Sequence, residues 1–328
     1  MVWMVSTIVY ETLKGRGQGK MTTHLYTHDI FIEHLTPEGH PERPDRIHAV
    51  AKSLSGDEFA ELKRFSTEMA DESTFLYGHP ESYIDSIKQM VPQEGRVRVD
   101  ADTVMSPKSW DCVRHAVGGG LAAVDAVFAG EAHNAFLSAR PPGHHAEKVT
   151  AMGFCVINTA AVMARHAQKQ HGVERVAIID WDVHHGNGTQ DIFYDDPSVL
   201  YASTHQMPLF PGTGDKNETG AGNICNAPLS PGMSGDGFKE AFKDRVLPAV
   251  EKFKPDLIII SAGFDAHHRD PLANINLEED DFDWATGKLM DIAARHCDNR
   301  LVSLLEGGYD LKGLADSCAA HVLRLMKG

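Results

Sequence analysis

The sequence predicts an α/β domain built on a mainly parallel sheet, and three observations predict it. From residue 109 onward, short aliphatic runs alternate with longer amphipathic ones. The short runs are continuously apolar, as strands covered on both faces must be. No repeat or low-complexity linker divides the chain, so one domain is expected over residues 21–328. Residues 1–20 read as a possible N-terminal extension, because Met21 starts a more ordinary sequence.

The elements follow in order. A helix over about 109–129 precedes the strand "AHNAFLSA" (132–139), and a helix over 156–171 precedes "RVAIID" (175–180) and "SVLYAST" (198–204). A helix over 234–253, the strand "DLIIISAG" (256–263), a helix over 278–296, the strand "LVSLLEGG" (301–308) and a helix over 311–326 complete the order. Each strand is rich in aliphatic residues and bounded by polar residues, Gly or Pro. The acidic "LEEDD" at 277–281 suits the positive end of the helix beginning there.

Composition narrows the function. With 42% hydrophobic residues the chain can bury a sizeable core, and its formal charge of -15 argues against a nucleic-acid binder. An acidic surface favours a cationic substrate, such as a Lys-rich tail or a polyamine. The five cysteines (Cys112, Cys155, Cys225, Cys297, Cys318) are scattered and contain no CxxC, which suits a reduced, cytoplasmic protein. No apolar run reaches the ~18 residues of a membrane span, so no membrane partner is expected.

In open α/β sheets, ligands gather beyond the carboxyl ends of the strands. Four of these strands end in "LSARPPGHHA", "IIDWDVHHGNG", "ISAGFDAHH" and "LLEGGYD", and parallel strands bring all four clusters to one rim. Asp180, Asp182 and His184 are spaced two apart, so a continuing strand would point all three to one side. An Asp-x-His pair with one more carboxylate leaves a tetrahedral zinc one open position, and Asp265 is the natural third ligand. Taken alone, Asp265 is as readily a helix cap or a surface charge. His144 and His145 follow a stiff Pro-Pro-Gly approach and suit general base and acid work near neutral pH. Tyr309, after two glycines, could donate to an oxyanion, although a lone tyrosine is more often structural.

The ordered set "RPPGHHA", "DWDVHHGNGTQ", "SAGFDAHHRDP" and "EGGYD" resembles the zinc-dependent histone deacetylase and acetylpolyamine amidohydrolase family. "GHPERPDRI" (39–47) and "FPGTG" (210–214) extend the resemblance over about residues 24–326. It implies a three-layer arginase–deacetylase sandwich, with the site at the carboxyl ends of a mainly parallel sheet. It also implies zinc ligands Asp182, His184 and Asp265, and His145 as base and acid. His144 is the implied electrostatic neighbour, bonded to Asp180, and Tyr309 the implied oxyanion donor.

The same resemblance implies a narrow channel flanked by Phe154, next to Gly153, and by Phe210, with Asp102 at its mouth. A potassium-type cation is implied at Asp180, Asp182, His184, Ser203 and Thr204, and an outer one near Phe193, Asp196, Val199 and Asn223. Asn187 stands where some members carry an Asp beside the second histidine, as in the class II-like and bacterial branches. An amide there should leave His145 less easily protonated than a carboxylate would.

The expected activity is removal of an acetyl group from acyl-lysine in a protein or peptide. An acetylpolyamine substrate is the nearest alternative, but Leu272 stands where one polyamine-specific branch carries Glu. A two-metal ureohydrolase would want further carboxylates where Gly186 and His267 stand, and a non-catalytic acyl-lysine-binding scaffold would have lost machinery that is present here.

Overall fold

The computed structural model describes residues 21–328, so the expected extension at 1–20 lies outside the described residues. The strands are β1 (Thr23–Thr27), β2 (Lys63–Ser66), β3 (Val97–Arg98), β4 (Val104–Met105), β5 (Asn134–Leu137), β6 (Val176–Asp180), β7 (Val199–Gln206), β8 (Ile224–Leu229), β9 (Leu257–Ala262) and β10 (Leu301–Leu305). Eight of them form one sheet in the order β2-β1-β5-β10-β9-β6-β7-β8. Every neighbouring pair in it is parallel. Strands β3 and β4 pair separately and antiparallel.

The continuous aliphatic runs are the sheet's centre. Val176, Ala177, Ile178 and Ile179 of β6 and Leu257, Ile258, Ile259 and Ile260 of β9 are all fully buried. Besides the two-residue β3 and β4, three strands of the large sheet lie outside the predicted runs, each for a physical reason. β2 is exposed along its whole length at one edge. β8 carries Pro228 at the other edge, where a missing N–H costs no ladder bond. β1 is a short run, "THLYT", with too little apolar sequence to stand out.

Helices Ser109–Phe128, Thr159–His171, Glu279–His296 and Leu311–Lys327 lie where expected and flank the sheet. The acidic start at Glu278 is a reciprocal cap, in which Glu278 and Asp281 each accept from the other's end of the turn. The helix expected over 234–253 is instead three pieces: Gly235–Ala241, a π turn at Phe242–Val246, and Leu247–Phe253. Pro248, which has no N–H for the carbonyl four residues back, is the second residue after the wider turn.

Strands β5, β10, β9 and β6 are consecutive in the sheet and parallel. Their carboxyl ends therefore deliver His144–His145, Tyr309, Asp265 and Asp182–His184 to one stretch of rim.

Candidate active site

Strand β6 ends at Asp180, so alternation along a strand is not what aligns Asp182 and His184. Two successive side-chain bonds turn the chain instead. Asp180 Oδ1 accepts from the Asp182 N–H at 3.1 Å, and Asp182 Oδ1 accepts from the His184 N–H at 2.9 Å. Across the rim Asp265 Oδ1 accepts from the Val183 N–H at 2.8 Å. Asp182 Oδ2 accepts from the Gly307 N–H at 2.7 Å. A Cβ on Gly307 would stand 2.1 Å from Asp265 Oδ2, so only glycine lets β10's end approach this closely.

The three side chains are buried, and their donor atoms lie within 4.8 Å of one another. His184 Nδ1 is 3.1 Å from both Asp182 Oδ1 and Asp265 Oδ2. Two buried carboxylates around one imidazole are short of positive charge. Burial, then the charge of Asp182, raises Asp265 to about 7. Burial opposes the charged form of His184, yet Asp182 and Asp265 hold its pKa up at about 10. A divalent cation would replace the shared proton and relieve the crowding, so these residues fit one.

Two histidines with different partners face this point. His144 Nδ1 lies 3.0 Å from Asp180 Oδ2, and His145 Nδ1 lies 2.8 Å from Asn187 Oδ1, with the ring centroids 4.0 Å apart. Burial disfavours charge on both. For His144 the carboxylates of Asp182 and Asp180 win and raise its pKa well above the ordinary value. For His145 burial is reinforced by His144 and His184, and its pKa falls well below that value. The two rings are therefore biased in opposite directions, His144 toward the charged form and His145 toward the neutral one.

Tyr309 N–H donates to Asp270 Oδ2 at 2.7 Å, and burial pushes the phenol well above its usual pKa, so it stays protonated. The ring packs edge-on against Phe154 at 5.8 Å, while Phe210 packs edge-on against His145 at 5.1 Å. Between these walls lies a cavity of about 260 Å³ that reaches His184, lined also by Asp102, Gly153 and Leu272. Asp102 Oδ1 accepts from the Gly153 N–H at 3.1 Å, so it braces the channel wall that it also lines. Gly153 has φ +56°, and a Cβ there would meet His145 Cδ2 at 2.4 Å.

Asp180 and Ser203 are register partners on β6 and β7, and the buried Thr204 Oγ1 beside them has no hydrogen-bond partner. At the outer set, Asn223 Nδ2 lies 2.8 Å from Phe193 O, 2.9 Å from Asp196 O and 2.8 Å from Val199 O.

Several residues that support the site had no role in the sequence reading. Glu306 Oε2 accepts from the N–H groups of Gly143 and His144 at 2.7 and 3.2 Å and so fixes the histidine turn. Glu42 holds Arg46 at 3.1 Å and Arg140 Nη2 at 2.6 Å, all fully buried. Asp270 ties Tyr309 to the rim by also accepting from the Leu272 N–H at 3.0 Å. The signal for them was present inside the quoted motifs, "GHPERPDRI", "EGGYD" and "HHRDP", which held more ionisable residues than the reading used.

Residues 40–325 match the histone deacetylase domain family. The chain belongs to the histone deacetylase family. A probable deacetylase of Archaeoglobus fulgidus is 37% identical over 318 residues, covering 94% of this chain and 87% of that protein. A histone deacetylase-like amidohydrolase of Pseudomonas aeruginosa is 40% identical over 304 residues, covering 91% and 80%. The crystal structure of the HDA15 HD domain superposes with a TM-score of 0.88 at 34% identity, over 93% of this chain and 89% of that one. The histone deacetylase fold expected from the motifs is therefore the fold observed. Among the described residues no helix is long and apolar enough to cross a membrane.

Proposed function

We propose that the chain is a zinc-dependent amidohydrolase that removes the acetyl group from acetyl-lysine in proteins or peptides. One observation carries this reading: a largely apolar channel reaches the buried group of Asp182, His184 and Asp265, and His145 and Tyr309, on loops that follow different strands, line the same channel. A channel walled by Phe154 and Phe210 suits the aliphatic stem of lysine.

When bound, zinc supplies a Lewis acid for the amide carbonyl and acidifies water. Asn187 Oδ1 accepts from His145 Nδ1–H, which leaves Nε2 free to take a proton from the attacking water. His144, whose Nδ1 lies 3.0 Å from Asp180 Oδ2 and whose protonated form that carboxylate favours, steadies the negative charge that develops nearby. Tyr309 donates its phenol to the oxyanion. The C–N bond then breaks, and His145 returns its proton to the departing amine, leaving acetate and a free lysine.

Leu272 at the rim supplies no charge for the second ammonium of an acetylated polyamine, which favours a lysine substrate. The orphaned Thr204 Oγ1 supports a potassium ion beside Asp180, Asp182, His184 and Ser203. The free cysteines suit the reducing cytoplasm. The test is competition between an acetyl-lysine peptide and acetylputrescine. A higher kcat/KM for the peptide supports the reading, and a higher value for acetylputrescine moves the substrate to polyamines.

A further inference from the structure

Asn187 raises a question of orientation. An aspartate offers two equivalent oxygens to a histidine, but an amide offers one oxygen and one NH2, and the wrong face would reverse the imidazole tautomer. Something must therefore hold the Asn187 amide one way round.

Both donor directions of the amide are used. Asn187 Nδ2 donates to Glu147 Oε1 at 2.7 Å and lies 3.2 Å from Met152 Sδ. The carboxylate can only accept, so it fixes the nitrogen outward and the oxygen toward His145, 2.8 Å from Nδ1. Glu147 is itself held by a turn in which its N–H donates to Thr150 O at 3.0 Å. It stands two residues beyond His145, half-buried, at the wall of a separate cavity of about 280 Å³ that it shares with Asn187, Lys148 and Asp191. The order is therefore solvent, Glu147, Asn187, His145.

We infer that Glu147 is a positioning residue for the deacetylation: by holding the Asn187 amide in one orientation, it keeps His145 in the Nδ1–H tautomer with Nε2 free toward the channel. A carboxylate is present in this relay, as in members with Asp at position 187, but it acts one side chain further out. The inference rests on the proposed role of His145.

The experiment uses the zinc-loaded full chain. Glu147→Ala lowers kcat about tenfold with KM little changed, because a charge-assisted bond that sets the tautomer is lost. Glu147→Gln, which can still accept through its amide oxygen, falls between the parent and Glu147→Ala. In an Asn187→Asp background the requirement for orientation disappears, and removing Glu147 also removes a like charge. There Glu147→Ala costs less than about twofold or raises activity. Independently of substrate, 15N spectra of the His145 ring, assigned by loss of its signals in His145→Gln, show Nδ1 protonated in the parent and a tautomer mixture in Glu147→Ala. An equal loss of kcat in both backgrounds, or an unchanged tautomer in Glu147→Ala, overturns the inference. A parent with the stated tautomer and no deacetylase activity would instead count against the proposed function.

Discussion

The guanidinium of Arg46 stands 5.0 Å from the centroid of the Tyr309 ring and donates to the Gly308 carbonyl at 2.7 Å. Arg46 also donates to the Glu306 carbonyl and to Glu42 Oε1, so a residue near the amino end of the chain sets the backbone on which the proposed oxyanion donor is carried. Lysine cannot reproduce a planar fork that meets three acceptors. Arg46→Lys is expected to cost about 1–3 kcal/mol in urea unfolding, because the buried Gly308 and Glu306 carbonyls lose charged donors while Arg140 still holds Glu42. It should also lower kcat. Parent-like stability and kcat would show that the cluster is dispensable.

Tyr309→Phe separates catalysis from binding. The phenol acts on charge that develops in the transition state, so kcat should fall about 10²–10³-fold while zinc content and KM stay near the parent's. Should KM rise while kcat holds, Tyr309 is a binding contact and not an oxyanion donor.

The two histidines predict unequal losses. His145→Ala should reduce kcat/KM more than His144→Ala, because His145 is the neutral member with a free Nε2. Asn187→Asp places a carboxylate against His145 Nδ1 and raises its pKa, so the base stays protonated to higher pH. The acid limb of the kcat/KM–pH profile should therefore move upward. An unmoved limb would contradict the contact's role, and a worse His144→Ala would transfer the base assignment.

A fully buried histidine away from the site makes a stability prediction. Burial lowers His321 to about 3, and its ring nitrogens meet Thr286 Oγ1 at 2.7 Å and Ser303 Oγ at 2.8 Å. Its folded pKa lies below the unfolded value of about 6.5, so the unfolded chain binds the extra proton as pH falls. The contribution is complete above about pH 6.5 and is lost progressively toward pH 3. His321→Gln should flatten the stability slope between about pH 6 and 4 by about 1.4 kcal/mol per pH unit. An identical slope in the variant would place the acid sensitivity elsewhere.

What the sequence made legible follows from where the chemistry is local. The β6 and β9 runs and the histidine, aspartate and tyrosine motifs at strand ends carry their meaning within a few residues. Edge strands β2 and β8 do not: β2 is exposed along its length, and β8, although largely buried, carries Cys, Asn and Pro in place of an aliphatic run. Asp182 and His184 were found by spacing, although side-chain bonds beyond the strand, not the strand itself, bring them together. Glu42, Asp270 and Glu147 were passed over for a different reason. Their roles are contacts to groups distant in sequence, such as Glu42 with Arg140 or Asp270 with Tyr309, and although Glu42 and Asp270 stand inside recognisable motifs, spacing along the chain does not name their partners.

The central claim is that Asp182, His184 and Asp265 hold one catalytic zinc. It is tested most directly by metal analysis of the purified chain beside its hydrolysis of an acetyl-lysine peptide, for the parent, Asp182→Ala and Asp265→Ala. The account predicts about one zinc per chain and hydrolysis in the parent, and loss of both in either variant, because removing one of three ligands leaves the site underfilled. Full hydrolysis with stoichiometric zinc in Asp182→Ala or Asp265→Ala would contradict it.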